Sequence, residues 1–144
     1  MKILPIFIFP LIFFFVLLSN SNTEEFRVRR VIDGDTLELV DGTKVRLLGI
    51  DAPERGEKCY QEAKERLEEL VLNNKVRLEK DKEDRDRYGR ELRYVFIDHS
   101  LVNLILVKEG LPYSYVIEPN VKYKDEILNA ERFAKEFKIG CLWK

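Results

Sequence analysis

Histidine and cysteine are scarce in this sequence of 144 residues, which contains one histidine and two cysteines. Structural zinc sites are built from four ligands, nearly always cysteine and histidine. The composition therefore makes a zinc site an unfavourable interpretation. Internal repeats and low-complexity segments are also missing after the first 22 residues, so the sequence does not predict a repeat architecture.

The sequence also lacks an excess of charge of either sign. Lysine and arginine number 25 against 26 aspartate and glutamate residues, which gives a formal net charge of −1. Many nucleic-acid-binding domains are strongly basic, and this chain is not. Any affinity for phosphate must therefore come from local clusters of arginine. Charged residues make up 35% of the chain and apolar residues 45%, which is typical of a folded soluble domain.

The first 22 residues differ in composition from the rest of the chain. Residues 1–18 contain one lysine and then an apolar run interrupted by two prolines. This run is short for a membrane-spanning helix but suits the apolar centre of a secretory signal. We expect residues 1–22 to be a signal peptide or a retained membrane anchor, and residues 23–144 to form one domain. Both alternatives place that domain outside the cell, either secreted or membrane-anchored and facing the exterior.

Export would also account for the two cysteines, Cys59 and Cys141. Disulfides persist in oxidising compartments. A bond between these residues would close a loop of roughly 80 residues and stabilise the fold by about 4 kcal/mol in the chain-entropy model. The alternative is two unrelated buried thiols. The sequence favours the disulfide, because free thiols are a liability in an exported protein.

Hydrophobic periodicity predicts five strands, over residues 26–32, 36–40, 44–50, 76–80 and 92–98. A two-residue turn at Asp41-Gly42 joins the second strand to the third. Helices are predicted over residues 59–73 and 101–109, with Ser100 capping the second of them. A last helix has an apolar stripe formed by Tyr123, Ile127, Ala130, Ala134 and Phe137. The pattern predicts an α+β fold that is mainly a barrel, an OB-type five-stranded barrel with three α-helices.

Three acidic residues, Asp35, Asp51 and Glu54, are candidate oxygen ligands for a hard cation such as calcium. The alternative is that these aspartates only serve turns and strand ends. With the predicted turn, Asp35 would lie opposite Leu48 and roughly 10 Å from Asp51 along the strand. The site would close only if the chain bends, and Gly49 is the predicted bend.

Two arginines, Arg46 and Arg90, are candidate phosphate ligands, because the guanidinium offers planar paired donors and stays charged. Alternatively, each is a solvent-facing charge. Four further residues could stack on a base or form a hydrogen bond to phosphate, although tyrosines are more often part of the core or its rim. They are Arg87, Tyr88, Tyr113 and Tyr115.

Three motifs stand in one order and spacing: IDGDT (32–36), VRLLGIDAPE (45–54) and DRYGR (86–90). Together they resemble the thermonuclease family of staphylococcal-nuclease-like domains. The resemblance spans about residues 26–143 and includes weaker similarity in VNLILVKEGL (102–111) and GCLW (140–143). It implies an OB-fold nuclease that uses calcium to cleave phosphodiester bonds of RNA and of single- and double-stranded DNA, leaving 3′-phosphates. It implies no protein partner, and we expect a monomer.

The resemblance also implies roles for particular residues. The carboxylates of Asp35 and Asp51 would bind calcium together with the backbone carbonyl of Ala52, while Arg46, Glu54 and Arg90 would be catalytic. Two departures from the best-known family member concern the substrate: Ile117 replaces the second of two base-contacting tyrosines, and Arg87 replaces a lysine. The alternative is a non-catalytic nucleic-acid-binding module. It is disfavoured because all five acidic and basic residues of the site are present together: Asp35, Arg46, Asp51, Glu54 and Arg90.

Overall fold

The structure is a computed structural model that describes residues 23–144. The predicted signal peptide or anchor, residues 1–22, lies outside the described residues. Within residues 23–144, no helix combines the length and the apolar character that crossing a membrane requires.

Eight strands and four helices make up the described part of the chain. In chain order they are β1 (Glu25–Asp33), β2 (Thr36–Leu39), β3 (Lys44–Leu47), β4 (Gly49–Asp51), α1 (Tyr60–Val71), β5 (Lys75–Glu79), β6 (Glu91–Ile97), β7 (Ser100–Leu101), α2 (Val102–Lys108), β8 (Tyr113–Tyr115), α3 (Lys124–Glu136) and α4 (Gly140–Trp143). The short helix α4 adds to the three helices that the sequence predicts.

The barrel consists of five strands that pair in the order β3-β2-β1-β5-β6 and close on themselves through β3 and β6. The first four pairings are antiparallel, and the closing pair is parallel. In this parallel seam, which we define as the β3–β6 pairing, Val45 pairs with Glu91 and Arg46 with Leu92. The predicted fold class, a five-stranded barrel with added helices, is thereby confirmed.

The core lies inside the barrel and between the barrel and its helices. Val45 and Leu47 alternate along β3 and are fully buried, as the period of two in a strand requires. Helix α1 covers the barrel with Ala63, Leu67 and Val71, which lie on one side of the helix and are at most 1% exposed. Complete burial of a side chain such as Leu67 contributes about 1.5–3 kcal/mol, so this contact fixes α1 firmly on the barrel.

The hairpin between β2 and β3 has a different register from the predicted one. The N–H of Leu39 donates to the carbonyl of Thr43 (2.8 Å), so the loop holds residues 40–42 rather than a two-residue turn. Gly42 has a φ of +89°, which is the conformation that a three-residue hairpin loop places at its last position. Asp35 consequently pairs with Leu47, whose N–H donates to its carbonyl (2.8 Å), and not with Leu48.

Two predictions about the helices were wrong. Ser100 does not cap a helix, because it belongs to β7 and pairs with Ile97, and α2 begins after Leu101 without a side-chain cap. Phe137 does not continue the buried stripe of α3, since 59% of it is exposed. The helix ends at Glu136, and Phe137 is its C-cap residue with φ −94° and ψ 7°, so it lies outside the helical stripe.

The C-terminal segment packs against the end of α2. Cys59 and Cys141 form a disulfide across a sequence separation of 82 residues. The N–H of Leu142 donates to the carbonyl of Gly110 (3.1 Å). Gly110 and Gly140 touch backbone to backbone with positive φ, and a side chain on either one would collide with main-chain atoms. The path of the tail is therefore fixed by covalent, hydrogen-bonding and steric constraints together.

Candidate functional site

A sharp bend at Gly49 separates β3 from β4. Its φ of +79° is a conformation that glycine adopts without strain, and it confirms the predicted bend. A Cβ at this position would lie 2.5 Å from Cδ1 of Ile127 in α3, so a larger residue would also have to displace this buried side chain. The bend turns the carboxyl end of β4 back toward β2, which carries Asp35 at its start.

Asp35 and Asp51 meet at the guanidinium of Arg46. Its Nη2 lies 3.2 Å from Oδ2 of Asp35 and 3.4 Å from Oδ1 of Asp51. Its Nη1 donates to the carbonyls of Leu47 (2.6 Å) and Ile50 (2.8 Å), which are exposed by the bend. The Arg46 side chain is 13% exposed, so a largely desolvated cation, held through Nη1 by two carbonyls, occupies the space between the two carboxylates.

Asp35 is oriented by three neighbours. Its Oδ1 accepts a hydrogen bond from the hydroxyl of Thr36 (2.8 Å), and its Oδ2 accepts one from the N–H of Ala52 (2.8 Å). Its own N–H donates to Oδ1 of Asp33 (3.1 Å). Burial, the hydrogen bond with Asp35 and the charge of Asp35 raise the pKa of Asp33 to about 6. The sequence analysis gave neither Asp33 nor Thr36 a role in the site.

Arg46 does not fully compensate the negative charge around Asp51. Burial and the nearby charge of Asp35 raise the pKa of Asp51, with smaller contributions from Glu54 and Glu57, although Arg46 lowers it. A cation placed here would relieve this repulsion. The carboxylate oxygens of Asp35 and Asp51 are hard donors, which fit calcium better than zinc or copper. Within residues 23–144, no group of three or more acidic, histidine or cysteine side chains is arranged to hold a metal ion.

Arg90 lies beside Arg46 because the parallel seam places the start of β6 next to β3. Both arginines line one cavity of about 240 Å³. The Nε of Arg90 donates to Oδ2 of Asp86 (2.7 Å), and Oδ1 of Asp86 accepts from the backbone N–H groups of Tyr88 and Arg90. Burial raises the pKa of Asp86, but the hydrogen bonds from Arg90 and Tyr88 outweigh it and lower the pKa overall.

Asp86 is a residue of the site that the sequence analysis missed. A pattern that could have revealed it is the i, i+4 spacing of Asp86 and Arg90 within DRYGR, which suits an ion pair. Asp86 lines the same cavity as Arg90 and fixes the orientation of its guanidinium.

The predicted substrate-binding residues fall into two groups. Tyr115 lines the arginine cavity, and Tyr113 in β8 pairs with Asp51 in β4. Arg87 and Tyr88 are instead exposed on the loop before β6, where Nη2 of Arg87 donates to the hydroxyl of Tyr88 (2.7 Å). Ile117, 50% exposed, lines the cavity near Tyr115.

Glu54 is exposed on the loop that follows β4. Its N–H donates to Oε1 of Glu57 (2.8 Å). The residues that line the arginine cavity do not include it, and its connection to the site is the negative charge that it adds near Asp51. The structure therefore brings together Arg46, Asp35, Asp51 and Arg90, and it places Glu54 at the edge of that group.

Comparison with known proteins gives a consistent result. Residues 44–144 match the family model described as staphylococcal nuclease homologue. The chain is 39% identical to the thermonuclease of Staphylococcus hyicus, over 84% of this chain and 77% of that protein. It is 36% identical to the thermonuclease of Staphylococcus intermedius, over 88% and 80% of the two chains. It is 44% identical to endonuclease YncB of Bacillus subtilis over 79% of this chain, and it spans 59% of that protein. The chain belongs to the staphylococcal nuclease homologue family.

Proposed function

We propose that this protein is a calcium-dependent nuclease that hydrolyses phosphodiester bonds of DNA and RNA and leaves 3′-phosphates. Its thermonuclease and endonuclease relatives make it a hydrolase of phosphodiester bonds. The observation that carries the proposal is the position of Arg46, between two carboxylates and on the same cavity as Arg90. Paired arginines beside converging carboxylates suit a phosphate that is bound and attacked at one place.

In this proposal Arg46 and Arg90 stabilise the negative charge that grows on the phosphate oxygens in the phosphorane-like transition state. Arginine donors are charge-assisted and match phosphate oxygens in pairs. Their guanidinium groups are already oriented, Arg46 by two carbonyls and Arg90 by Asp86, so little reorganisation is needed. A preorganised donor of this kind contributes about 2.7–4 kcal/mol to transition-state stabilisation, or 10²–10³ in rate.

Asp35, Asp51 and the carbonyl of Ala52 would hold calcium. A bound divalent cation supplies Lewis-acid stabilisation and a template for the phosphate. Asp35 is prepared for this role, because the N–H of Ala52 and the hydroxyl of Thr36 fix its carboxylate. A cation held by Asp35 and Asp51 would take the place of Arg46 as their counter-charge, which would leave Arg46 free to bind the phosphate.

Glu54 would accept a proton from the attacking water or position that water. Its exposed place next to Asp51 leaves room for solvent on that side of the site. The water oxygen forms a bond to phosphorus, and the bond between phosphorus and the 5′-oxygen breaks. The 5′-oxygen leaves as an alcohol after taking a proton from solvent, and the proton of the attacking water passes to solvent directly or through Glu54. The product chain then carries the phosphate on its 3′ end.

Four exposed or cavity-lining side chains would contact the nucleic acid outside the reacting phosphate: Arg87, Tyr88, Tyr113 and Tyr115.

Calcium sites with few protein ligands bind weakly, and extracellular calcium would suffice for them. Export through residues 1–22, as a secreted or externally anchored protein, therefore agrees with the proposed chemistry.

The experiment is digestion of single-stranded DNA by the purified protein, with calcium or with chelator, for the wild type, Glu54→Gln and the control Glu62→Gln. Glu62 is an exposed carboxylate of α1 outside the site. We expect calcium-dependent cleavage that is lost only in Glu54→Gln. Equal cleavage by all three proteins would remove Glu54 from the chemistry. Binding of DNA without any cleavage would support the non-catalytic module instead.

A further inference from the structure

The β4–β8 ribbon, which we define as the antiparallel pair of β4 and β8, presents two tyrosines on one face. Tyr115 pairs with Gly49, and Tyr113 pairs with Asp51. Residues directly opposite each other in an antiparallel pair share a face of the sheet. Tyr113 therefore stands on the same side of the ribbon as the carboxylate of Asp51. The two tyrosines are two positions apart along β8, which separates them by roughly 7 Å.

Tyr113 is held in place by Trp143. Their rings meet edge to face, with centroids 5.7 Å apart and an interplanar angle of 83°. Lys135 lies over the Trp143 ring, with Nζ 4.7 Å from its centroid. Tyr113 is nevertheless 44% exposed, so a fixed aromatic ring faces solvent beside the carboxylates.

Both supports of this aromatic pair are rigid. The tail that carries Trp143 is bound by the disulfide of Cys141 and by the hydrogen bond from Leu142 to Gly110. The strand that carries Tyr113 is held from α3, because the N–H of Ser114 donates to the carboxylate of Glu131. Preorganised rings lose little conformational entropy when a ligand stacks on them.

We propose that Tyr113, positioned by Trp143, is a second stacking site for an unpaired base, one nucleotide away from the base that meets Tyr115. This inference rests on the nuclease function proposed above and concerns its substrate. Tyr115 borders the cavity that would take the scissile phosphate, and Tyr113 lies directly opposite Asp51. A strand that crosses the site would therefore bring successive bases to the two rings.

The site would select for strand state rather than for sequence. Every base has a π face, so stacking on an aromatic side chain tolerates all bases. A base within a duplex has both faces covered by its neighbours and cannot use Tyr113. The ring would therefore favour single-stranded DNA and RNA over duplexes. Removing one stacking aromatic typically weakens binding by about 5- to 150-fold.

The test is equilibrium binding of fluorescein-labelled oligothymidylate, measured by anisotropy in chelator, where no calcium-dependent cleavage competes. The proteins are the wild type, Tyr113→Leu and Tyr113→Phe, and the oligonucleotides carry either all bases or one abasic position, moved along the strand. We expect Tyr113→Leu to weaken binding of the complete oligonucleotide at least fivefold, with near-complete rescue by Tyr113→Phe. At one abasic position the difference between the wild type and Tyr113→Leu should disappear.

Equal weakening at every abasic position, or none for the complete strand, would overturn the proposal. The wild type provides a second readout that does not depend on any variant, because Trp143 is the only tryptophan. Its fluorescence should change on binding complete oligothymidylate and remain unchanged with the strand that is abasic at the identified position; an identical response to both strands would also overturn it. Cleavage in calcium is assayed separately, so failure of the nuclease proposal would appear as inactivity with the abasic pattern intact.

Discussion

Replacing Arg46 by glutamine should reduce kcat by about 10²–10³-fold, which is the cost of losing one preorganised donor to the transition state. The structure supports the upper part of this range. Nη1 is bound by two carbonyls at 2.6 and 2.8 Å, and the side chain is only 13% exposed, so neither water nor a neighbouring cation can readily replace it.

The same substitution should strengthen calcium binding. In the structure Nη2 of Arg46 lies 3.2 and 3.4 Å from the carboxylates that are proposed to hold the metal, so the arginine competes with it. The ion pair of Arg46 with Asp51, whose side chain is 54% exposed, contributes up to about 1 kcal/mol, and losing that competition should lower the calcium Kd about fivefold. Steady-state cleavage of single-stranded DNA measures kcat, and calorimetric titration of the DNA-free protein measures the Kd.

Arg93→Gln is a matched control for this experiment. The Arg93 side chain is 12% exposed, and its Nη2 pairs with Asp84 (2.8 Å) and Glu91 (3.0 Å) away from the arginine cavity. It should cost similar stability but leave kcat within a few fold of the wild type. The reasoning is refuted if Arg46→Gln retains more than a tenth of wild-type kcat, or if Arg93→Gln loses as much activity.

Three further predictions test other parts of the structure. Gly49→Ala should destabilise the fold by about 3 kcal/mol in urea unfolding, from backbone strain and from the collision with α3, whereas Gly42→Ala, with open space around it, should cost only about 1 kcal/mol. The fold lowers the pKa of Asp86, so its ionised form stabilises the protein above the unfolded pKa, and this stability is lost as pH falls through the lowered pKa. Asp86→Asn should therefore reduce the loss of stability at acid pH. An unchanged acid limb of the stability curve would contradict the ion pair of Asp86 with Arg90 as its cause. Replacing Cys59 and Cys141 together by serine should lower stability by about 4 kcal/mol, and reductant should do the same to the wild type but have no effect on the double variant.

The sequence was most informative where local rules determine the structure. Strand periodicity and turn residues located all five barrel strands, and Gly49 was identified as the bend because a glycine inside a strand pattern usually marks one. The register of the β2–β3 hairpin was missed because Asp41 supports a longer loop, accepting a hydrogen bond from the N–H of Thr43 (2.9 Å). A one-residue difference of this kind depends on turn geometry, which the apolar pattern does not specify.

The sequence was least informative about contacts between distant segments. Asp86 and Arg90 are close in sequence, yet their role depends on Arg46, which reaches them only through the parallel seam. Tyr113 and Trp143 are also brought together by the path of the tail. Such contacts depend on how elements pack against one another, and neither periodicity nor spacing encodes that directly.

The parallel seam also decides when a folding chain acquires the site. Arg46 lies in β3, and Arg90 directly precedes β6, so the two arginines become neighbours only when β3 pairs with β6. Bringing β3 and β6 together closes a long loop and costs chain entropy, and the formation of local strands and hairpins does not offset that cost. An open barrel can hold all of its strands and still lack the arginine pair. In a refolding experiment, the return of cleavage would therefore time the closing of the barrel, while circular dichroism would time the formation of its strands.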